Sequence, residues 1–239
     1  MRALAPPRDR DMDLTVDAYE LGTFRFPEPE LRGRRGVVMG FAIHHPEGVI
    51  VVDTGFGFGH PELDQAYDVR ARRILEALAC IEVRPADVTA VINCHLHADH
   101  AGQNLAFPNV PILVQPAEWQ LAHDTDHTIL EWVDFDGADI RPTAGDHEVR
   151  PGVRIIATPG HTAGHQSVAV ATADGLLVLA GQACYTTGEW AGDPGALEGR
   201  STAPDQTAYG GSIERLRELR PVRVHFGHDR ETWIAGPGA

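Results

Sequence analysis

Residues 95–100 constrain the chain more than any other segment, because they have the sequence HLHADH and four of the six side chains can bind a metal ion. His95 and His97 project from the same side of an extended segment, so both imidazoles can reach one ion. Asp99 and His100 lie just beyond and are offset toward a second ion. A catalytic divalent ion takes about four nitrogen or oxygen ligands, including an open or water-filled position. Residues distant in the sequence must therefore complete the set.

Two later turns carry histidines that can complete it. His161 lies within residues 158–165, which have the sequence TPGHTAGH and follow an apolar run. His228 follows the predicted strand 222–226 in the same way. Either histidine alone would be an ordinary side chain, but loops at strand ends are held by the sheet and commonly carry functional groups. We therefore predict that both meet residues 95–100 around one metal-binding pocket.

Length and charge exclude several classes of protein. The 239 residues are enough for one sizeable domain, and 34 acidic against 20 basic side chains give a net charge of −14. That charge opposes binding to nucleic acid and to anionic membranes. No apolar run approaches the roughly 18 residues of a membrane span, and residues 1–13 lack the apolar stretch of a secretory signal.

Three widely spaced cysteines, Cys80, Cys94 and Cys184, do not make a disulfide framework. A reducing cytoplasm is the simplest location for such a chain. Cys94 and Cys184 lie in apolar segments, so we predict buried, unreactive thiols there rather than nucleophiles.

Hydrophobic runs and turn residues predict alternating strands and helices. The predicted strands cover residues 15–21, 37–45, 49–52, 88–94, 111–115, 153–158, 167–172, 176–180 and 222–226. A helix is predicted to begin at Pro61 and to present an apolar face formed by Ala71, Ile74, Leu75 and Leu78. The other predicted helices cover residues 117–123 and 213–219. Hairpins in both halves, interleaved with helices, indicate sheets covered by helices rather than one regular parallel sheet.

The histidine-bearing segments and the sequence Val-Asp-Thr-Gly at residues 52–55 together resemble the metallo-β-lactamase superfamily. Within that superfamily the chain looks like the N-acyl-homoserine lactonase group. The stretches similar to that group are residues 93–104, 112–115, 157–168, 183–186 and 226–229. The resemblance spans about residues 37–235, nearly the whole chain.

This resemblance implies an α/β fold, an αββα sandwich of the metallo-β-lactamase type with two metal ions at one edge of the sheets. It also implies a single domain over residues 1–239. We expect residues 1–36 to form a strand and a loop that lies over the active site.

The resemblance further implies two sets of metal ligands. The first set is His95, His97 and His161, and the second is Asp99, His100 and His228. Asp53 resembles the residue that hydrogen-bonds a ligand histidine and orients it. We expect one or two zinc ions, although histidine and carboxylate ligands also suit Fe, Mn or Co.

The chain departs from the family at one position. The family usually places a bridging aspartate three residues before a tyrosine, and here Gln182 stands at that distance from Tyr185. Two divalent cations roughly 3.5–4 Å apart repel each other, and an anionic bridge offsets part of that repulsion, whereas an amide is neutral. We therefore expect the first site to fill readily and the second to fill partially or to need excess metal.

The motif and the resemblance together predict a metallo-hydrolase, a lactonase acting on the carboxylic ester of an N-acyl-homoserine lactone or a similar lactone, with a role in quorum quenching. A metal lowers the pKa of bound water toward ~7, and the resulting hydroxide attacks the carbonyl. By resemblance, Tyr185 hydrogen-bonds near that carbonyl, and Asp99 can assist proton transfer. Phe56, Phe58 and Trp190 are expected to line an apolar acyl pocket.

Several other chemistries fit the sequence less well. Residues 55–60 have the sequence GFGFGH, which lacks the third glycine of a dinucleotide-binding loop. The Asp-Thr-Gly at residues 53–55 has no second copy to form the paired carboxylates of an aspartic protease. Neither a Gly-x-Ser-x-Gly elbow nor a phosphate-binding loop is present.

Two alternatives stay open because Gln182 replaces the usual aspartate. One is another ester or thioester hydrolase, and the other is an iron-dependent redox or metal-binding protein of the same fold. The expected partner is a small-molecule substrate, neither nucleic acid nor a membrane is expected, and a homodimer stays open.

Overall fold

Two β-sheets are built by the strands of the computed structural model, which describes residues 13–26, 31 and 33–236. The strands are β1 (Thr15–Arg25), β2 (Arg35–His45), β3 (Gly48–Val52), β4 (Arg70–Ala71), β5 (Val88–Ile92), β6 (Pro111–Val114), β7 (Asp139–Pro142), β8 (His147–Arg150), β9 (Val153–Ala157), β10 (Gln166–Thr172), β11 (Gly175–Leu179), β12 (Arg223–His225) and β13 (Trp233–Ile234). The first sheet has the order β4-β1-β2-β3-β5-β6-β7, and the second has the order β13-β12-β11-β10-β9-β8.

The α-helices lie mostly between strands. They are α1 (Pro61–Tyr67), α2 (Ile74–Cys80), α3 (Ala98–Ala101), α4 (Pro116–Asp124), α5 (Leu130–Val133), α6 (Thr187–Ala191) and α7 (Gln206–Glu218). Short 3-10 turns cover Pro85–Asp87, Asn104–Ala106 and Arg200–Thr202. No helix in the described ranges is long and apolar enough to cross a membrane.

Three apolar layers show how the sheets and helices stack. Successive strand residues point to opposite faces of a sheet, so Ile50 and Val52 of β3 pack between the two sheets, whereas Val51 packs under the helices of the first sheet. On the outer face of the second sheet, Val178 of β11 packs with Ile213 of α7. Helices therefore cover both outer faces, and the αββα sandwich predicted from the resemblance is confirmed.

Strand direction places the functional loops at one edge. β9 and β11 are both antiparallel to β10, and β11 is parallel to β12, so β9, β11 and β12 all run the same way. In the first sheet, β3, β5 and β6 are mutually parallel. The two sheets are joined next to the loop that follows β5, where the backbone N–H of Gln166 donates to the carbonyl of Cys94 at 2.8 Å. The loops after these strands therefore meet at one edge of the sandwich.

The hairpins agree with the sequence, but the predicted helix from Pro61 does not. β2 and β3 pair with Ile43 opposite Ile50, and β10 and β11 turn at Asp174-Gly175. The stretch after Pro61 instead breaks into α1 and α2, because Ala71 pairs with Gly22 in β4. Leu75 is 40% exposed rather than part of the apolar face.

The predicted N-terminal strand and loop lie partly outside the described residues, which omit residues 1–12, 27–30 and 32. Within the described part, the strand extends four residues past the predicted end at Leu21, to Arg25. Phe24 and Phe26, near its end, line a cavity described below.

Candidate metal centre

The six side chains predicted as metal ligands lie together at this edge of the sandwich. They come from the loop after β5, from α3, and from the turns after β9 and β12, as His95, His97, Asp99, His100, His161 and His228. Two groups of nearby ligand atoms form among the described residues, one of three histidines and one of a carboxylate and two histidines.

The first group brings three imidazole nitrogens to one point. His95 Nε2 lies 2.9 Å from His97 Nδ1, and His161 Nε2 lies 3.2 Å from His95 Nε2 and 3.1 Å from His97 Nδ1. Burial holds the pKa of His95 and His161 well below the usual range and lowers that of His97 to about 4. Neutral imidazole is the form that binds a metal, so this group is ready to take one.

The second predicted set is also assembled. Asp99 Oδ2 lies 3.3 Å from His100 Nε2 and 3.6 Å from His228 Nε2. Burial acts to raise the pKa of Asp99, but the neighbouring His100 and His228 outweigh it and lower that pKa. Ligand atoms of His95, Asp99 and His100 also lie within 4.8 Å of one another, so His95 lies next to both sets. Asp99, His100 and His228 are called the second group below.

Hydrogen bonds on the far side of the rings fix which nitrogen faces the site. His228 Nδ1 donates to the carbonyl of Val37 at 2.7 Å. His100 Nδ1 lies 2.7 Å from Asp53 Oδ2. Because Nδ1 is engaged in both rings, Nε2 is the atom presented to Asp99 and to any bound ion.

Asp53 is buried at the end of β3 and joins two segments. Its Oδ1 accepts the backbone N–H of Cys94 at 2.8 Å, while Oδ2 contacts His100. Its φ of 60° lies in the left-handed region that aspartate tolerates better than most residues. Burial acts to lower the pKa of His100, but the carboxylates of Asp99 and Asp53 raise it to about 10.

Gln182, which stands where the resemblance implies a bridging aspartate, lines the same cavity as Asp99. It is 4% exposed, and its Oε1 has no hydrogen-bond partner among the described residues. Its backbone N–H donates to His165 Nε2 at 2.9 Å, and His165 Nδ1 lies 2.9 Å from Thr158 Oγ1. His165 thus ties the loop of Gln182 to the turn that carries His161.

These donors fit one or two divalent cations. A buried polar atom without a partner costs roughly 1–3 kcal/mol, and such atoms are uncommon in folded proteins. Within the described ranges, Gln182 Oε1 is buried without a hydrogen bond. His100 Nε2 and His228 Nε2 are buried and make no hydrogen bond of good geometry, although they lie 3.3 Å and 3.6 Å from Asp99 Oδ2. Cations held by these atoms would satisfy them, and nitrogen and oxygen donors suit Zn, Mn, Fe or Co.

Two cavities open onto this cluster and share His97, His127, His161 and Tyr185. The smaller has a volume of about 270 Å³ and includes Asp99 and Gln182 in its wall. Its apolar wall is formed by Phe24, Phe26, Phe56, Leu63, Tyr67 and Ile129. The larger, of about 620 Å³, lies on the side of the turn after β9. A small organic molecule can therefore reach the predicted metal ligands.

Tyr185 occupies the wall between the two cavities. Its hydroxyl lies 3.3 Å from His161 Nδ1, and its ring stacks on Phe26. Its backbone N–H donates to Glu189 Oε2 at 2.6 Å, and Glu189 also accepts from the hydroxyl of Tyr209. Burial raises the pKa of Glu189 above its ordinary value despite these donors.

Of the three aromatic residues expected to line the acyl pocket, the structure places only Phe56 there. Phe58 is 42% exposed and packs under the guanidinium of Arg73, because the loop after β3 turns it outward. Trp190 is buried on the outer face of the second sheet against Phe226, so it contributes to the core instead. Those two expectations were wrong.

Both cysteines predicted to be unreactive are buried. Burial raises the pKa of the Cys94 and Cys184 thiols well above the usual range. A thiol held in its neutral form is a poor nucleophile, so this prediction agrees with the structure.

Sequence reasoning missed two residues beside the cluster, Glu118 and His127. The Glu118 carboxylate is fully buried, and His127 Nε2 lies 2.6 Å from its Oε1. The His127 ring packs on that of His97, with centroids 4.3 Å apart. Burial acts to raise the pKa of Glu118, but hydrogen bonds from His127, Thr162 and Leu96 outweigh it and lower that pKa. An acid three residues into a helix normally indicates only a favourable helix start, so no local pattern pointed to Glu118.

The chain is similar in sequence to proteins named as N-acyl homoserine lactonases. The chain is 31% identical over 216 residues to an N-acyl homoserine lactonase of Bacillus cereus, covering 80% of each protein. It is 30% identical over 228 residues to the N-acyl homoserine lactonase AttM of Agrobacterium fabrum, covering 81% of this chain and 82% of that protein.

A solved structure agrees with the sequence comparison. An N-acyl homoserine lactone hydrolase with N-hexanoyl-L-homoserine bound at its catalytic metal center matches with a TM-score of 0.76 and 28% identity, over 92% of this chain and 95% of that one. The family model of the metallo-beta-lactamase superfamily matches residues 33–228. With its fold, its ligand loops and most of its length accounted for, this chain belongs to the metallo-beta-lactamase superfamily.

Proposed function

We propose that this protein is a metal-dependent hydrolase that opens the ring of N-acyl homoserine lactones. The observation that carries the proposal is the meeting of His95 Nε2, His97 Nδ1 and His161 Nε2 within 3.2 Å of one another at the mouth of a cavity. The comparisons support the substrate class, because relatives near 30% identity over most of the chain are N-acyl homoserine lactonases. A role in quorum quenching follows from that substrate.

The two ligand groups hold the metal in this proposal. The first group binds one ion with the higher affinity. Asp99, His100 and His228 bind the second ion, and Gln182 Oε1 is a neutral oxygen beside them. A bound divalent cation supplies Lewis acidity toward the ester carbonyl and lowers the pKa of water. Zinc is our choice of metal because a cluster of neutral histidines is its usual ligand set in hydrolases.

Tyr185 and Asp99 act on the substrate. Tyr185 lines both cavities with its hydroxyl beside His161, where it can donate to the lactone carbonyl oxygen as negative charge develops. Asp99 lines the smaller cavity, where it can take a proton from the attacking water and return it to the ring oxygen as the C–O bond breaks. One water is consumed, and the product is the open-chain N-acyl homoserine.

The acyl chain has a matching apolar wall. Phe24, Phe26 and Phe56 line the smaller cavity, which also has Asp99 and Gln182 in its wall. An aliphatic chain that leaves water for such a wall gains about 25 cal/mol for each Å² of buried area. The proposal therefore expects higher kcat/KM for acyl homoserine lactones than for the unsubstituted homoserine lactone.

The experiment is lactone hydrolysis by purified protein. Acyl homoserine lactones from butanoyl to dodecanoyl are assayed by proton release, with mass spectrometry to detect addition of one water and with Zn, Mn, Fe or Co added back to chelated protein. His161→Ala is the inactive control. Failure of every lactone to open in protein with restored metal would overturn the proposal.

The same samples test the alternative chemistries. The ester, thioester and iron-based alternatives are less well supported, because the relatives with substantial identity are lactonases. An iron chromophore without hydrolysis would favour a redox protein, and hydrolysis of thioesters alone would favour that class. The cytoplasmic location and the homodimer stay predictions.

A further inference from the structure

Glu118 is a fully buried carboxylate that belongs to neither ligand group and has no part in the proposed chemistry. It lies in the first turn of α4, which packs beside the metal-binding loops. A buried ionised carboxylate is unfavourable unless it is hydrogen-bonded on all sides. The partners of Glu118 therefore indicate what its burial achieves.

Those partners come from three separate segments that carry or touch the first ligand group. Oε1 accepts the backbone N–H of Leu96 at 2.8 Å, and Leu96 is the residue between His95 and His97. Oε2 accepts the hydroxyl of Thr162 at 2.6 Å, and Thr162 follows His161 in the chain. One side chain thus bonds both loops that supply the first three ligands.

The third partner completes the contact. Oε1 also lies 2.6 Å from His127 Nε2, and the His127 ring packs on His97. Gly164 lets α4 approach this closely, because a Cβ at Gly164 would lie 2.2 Å from the backbone nitrogen of Glu118. The close approach and the hydrogen bonds join the turn after β9 to the loop after β5 at the same place.

We propose that Glu118 is a positioning residue that holds the loop of His95 and His97 against the turn of His161, and so sets the affinity of the first metal ion. The proposal rests on the metal centre proposed above. Gln166 also joins these segments, through its bond to the carbonyl of Cys94, but Glu118 bonds the residues next to the ligands themselves. Without this link, the ligand-bearing ends of the two loops are held less closely before an ion binds, and binding must then supply more of the free energy of bringing the three nitrogens together.

The experiment measures the affinity of the full chain for its first equivalent of Zn²⁺ by competition with a chromophoric chelator. Glu118→Ala removes both acceptor oxygens and is expected to lower the affinity for the first ion about 10–100-fold, as loss of a hydrogen-bond partner around a metal site typically does. Thr162→Val removes one of the three donors and is expected to give a smaller loss in the same direction.

A conservative variant separates hydrogen bonding from charge. In Glu118→Gln the amide oxygen keeps the bonds from Leu96 and His127, and the NH₂ group can donate to the Thr162 hydroxyl oxygen. We expect a first-ion affinity within about threefold of the wild type, well short of the loss expected for Glu118→Ala. A loss as large as that of Glu118→Ala would contradict positioning by hydrogen bonds.

A control for general destabilisation is Val170→Ala. Val170 is buried between the sheets near the β10–β11 turn and touches neither ligand loop. Val170→Ala is expected to lower the melting temperature without lowering the affinity for the first ion. Equal affinities in Glu118→Ala and Val170→Ala would overturn the proposal.

Two further measurements keep the test decisive. If Glu118→Ala does not fold, Thr162→Val against Thr162→Ser answers the same question, and equal affinities there would also overturn the proposal. If both single variants fold, the double variant should lose less than the product of the single losses, because both changes break one shared link. Zinc affinity is measured without substrate, so a failure of lactone hydrolysis would leave this result intact.

Discussion

Nδ1 of His100 lies 2.7 Å from Oδ2 of Asp53, in a pair that is almost entirely withdrawn from solvent. Asp53 also accepts the backbone N–H of Cys94, so both of its oxygens act as acceptors. An asparagine has only one acceptor oxygen and cannot serve both donors. The identity of residue 53 therefore bears directly on how His100 faces the second group.

The first prediction concerns this pair. Asp53→Asn is expected to lower the affinity for the second metal ion about 10–100-fold, because His100 loses its fixed orientation. The affinity for the first ion should not change. Elemental analysis of chelator-free protein after gel filtration measures both ions. Asp17→Asn is the matched control, since Asp17 pairs with His44 at 2.8 Å on the surface. Undiminished second-ion content in Asp53→Asn would contradict the prediction.

Gln182 gives a second prediction. Gln182→Asp places an anion beside the second group and is expected to raise the affinity for the second ion by at least about tenfold. An added attraction of roughly 1.4 kcal/mol is enough for a tenfold change in affinity. Gln182→Asn, which has the length of aspartate without its charge, is the control and should not tighten it. Zinc titration of metal-free protein measures both. If the wild type binds two ions tightly when two equivalents of zinc are added, the neutral amide of Gln182 does not lower the affinity for the second ion.

Much of this site follows from local sequence. The histidine motif and the two later turns are each short segments at strand ends, so their chemistry can be read without knowing the fold. Asp174-Gly175 likewise forms the predicted hairpin, because its turn geometry depends on only a few residues.

The remainder depends on contacts between distant segments. Phe58 and Trp190 resemble pocket residues by composition, but which way an aromatic ring faces is decided by the elements that pack on it. Two of the three partners of Glu118, Leu96 and Thr162, are 22 and 44 residues away, and His127 lies outside its helix, so no local pattern distinguishes Glu118 from a solvated helix acid. Leu75 is exposed because β4 interrupts the predicted helix.

Tyr185 gives a third prediction. Tyr185→Phe is expected to lower kcat for acyl homoserine lactones about 3–10-fold, the equivalent of one hydrogen bond of about 1 kcal/mol. KM should change little, because the bond strengthens as charge develops on the carbonyl oxygen. Steady-state kinetics measure both. Tyr19→Phe, which removes a buried hydroxyl that donates to the carbonyl of Phe41, is the control. A larger effect on KM than on kcat would place the hydroxyl in ground-state binding instead.

Glu189 gives a prediction about pH. Burial raises its pKa in the folded protein above 4.5, so folding takes up a proton as the pH rises past that value. The contribution of Glu189 to stability is therefore largest below its unfolded pKa and is lost as the pH rises through its folded pKa. Glu189→Gln removes this titration.

The measurement is the melting temperature of wild type and Glu189→Gln across the acid and neutral range. The wild type should exceed the variant by most at low pH, and the difference should shrink as the pH rises. Asp146→Asn, at an exposed ion pair with Arg215, is the control for general effects of removing a carboxylate. A difference that grows with pH would mean that the donors to Glu189 outweigh its burial.

Removal of the metal gives the last prediction. At ion concentrations near 100 times Kd, a bound ion stabilises the folded chain by about 2.7 kcal/mol, so chelation should lower the melting temperature by about 5–10 °C for a chain of this length. Differential scanning calorimetry with and without chelator measures the shift, and added Zn²⁺ should reverse it. In His161→Ala the shift should shrink, because one of three converging nitrogens is gone. An equal shift in the variant would mean that the stabilising ion binds elsewhere on the protein.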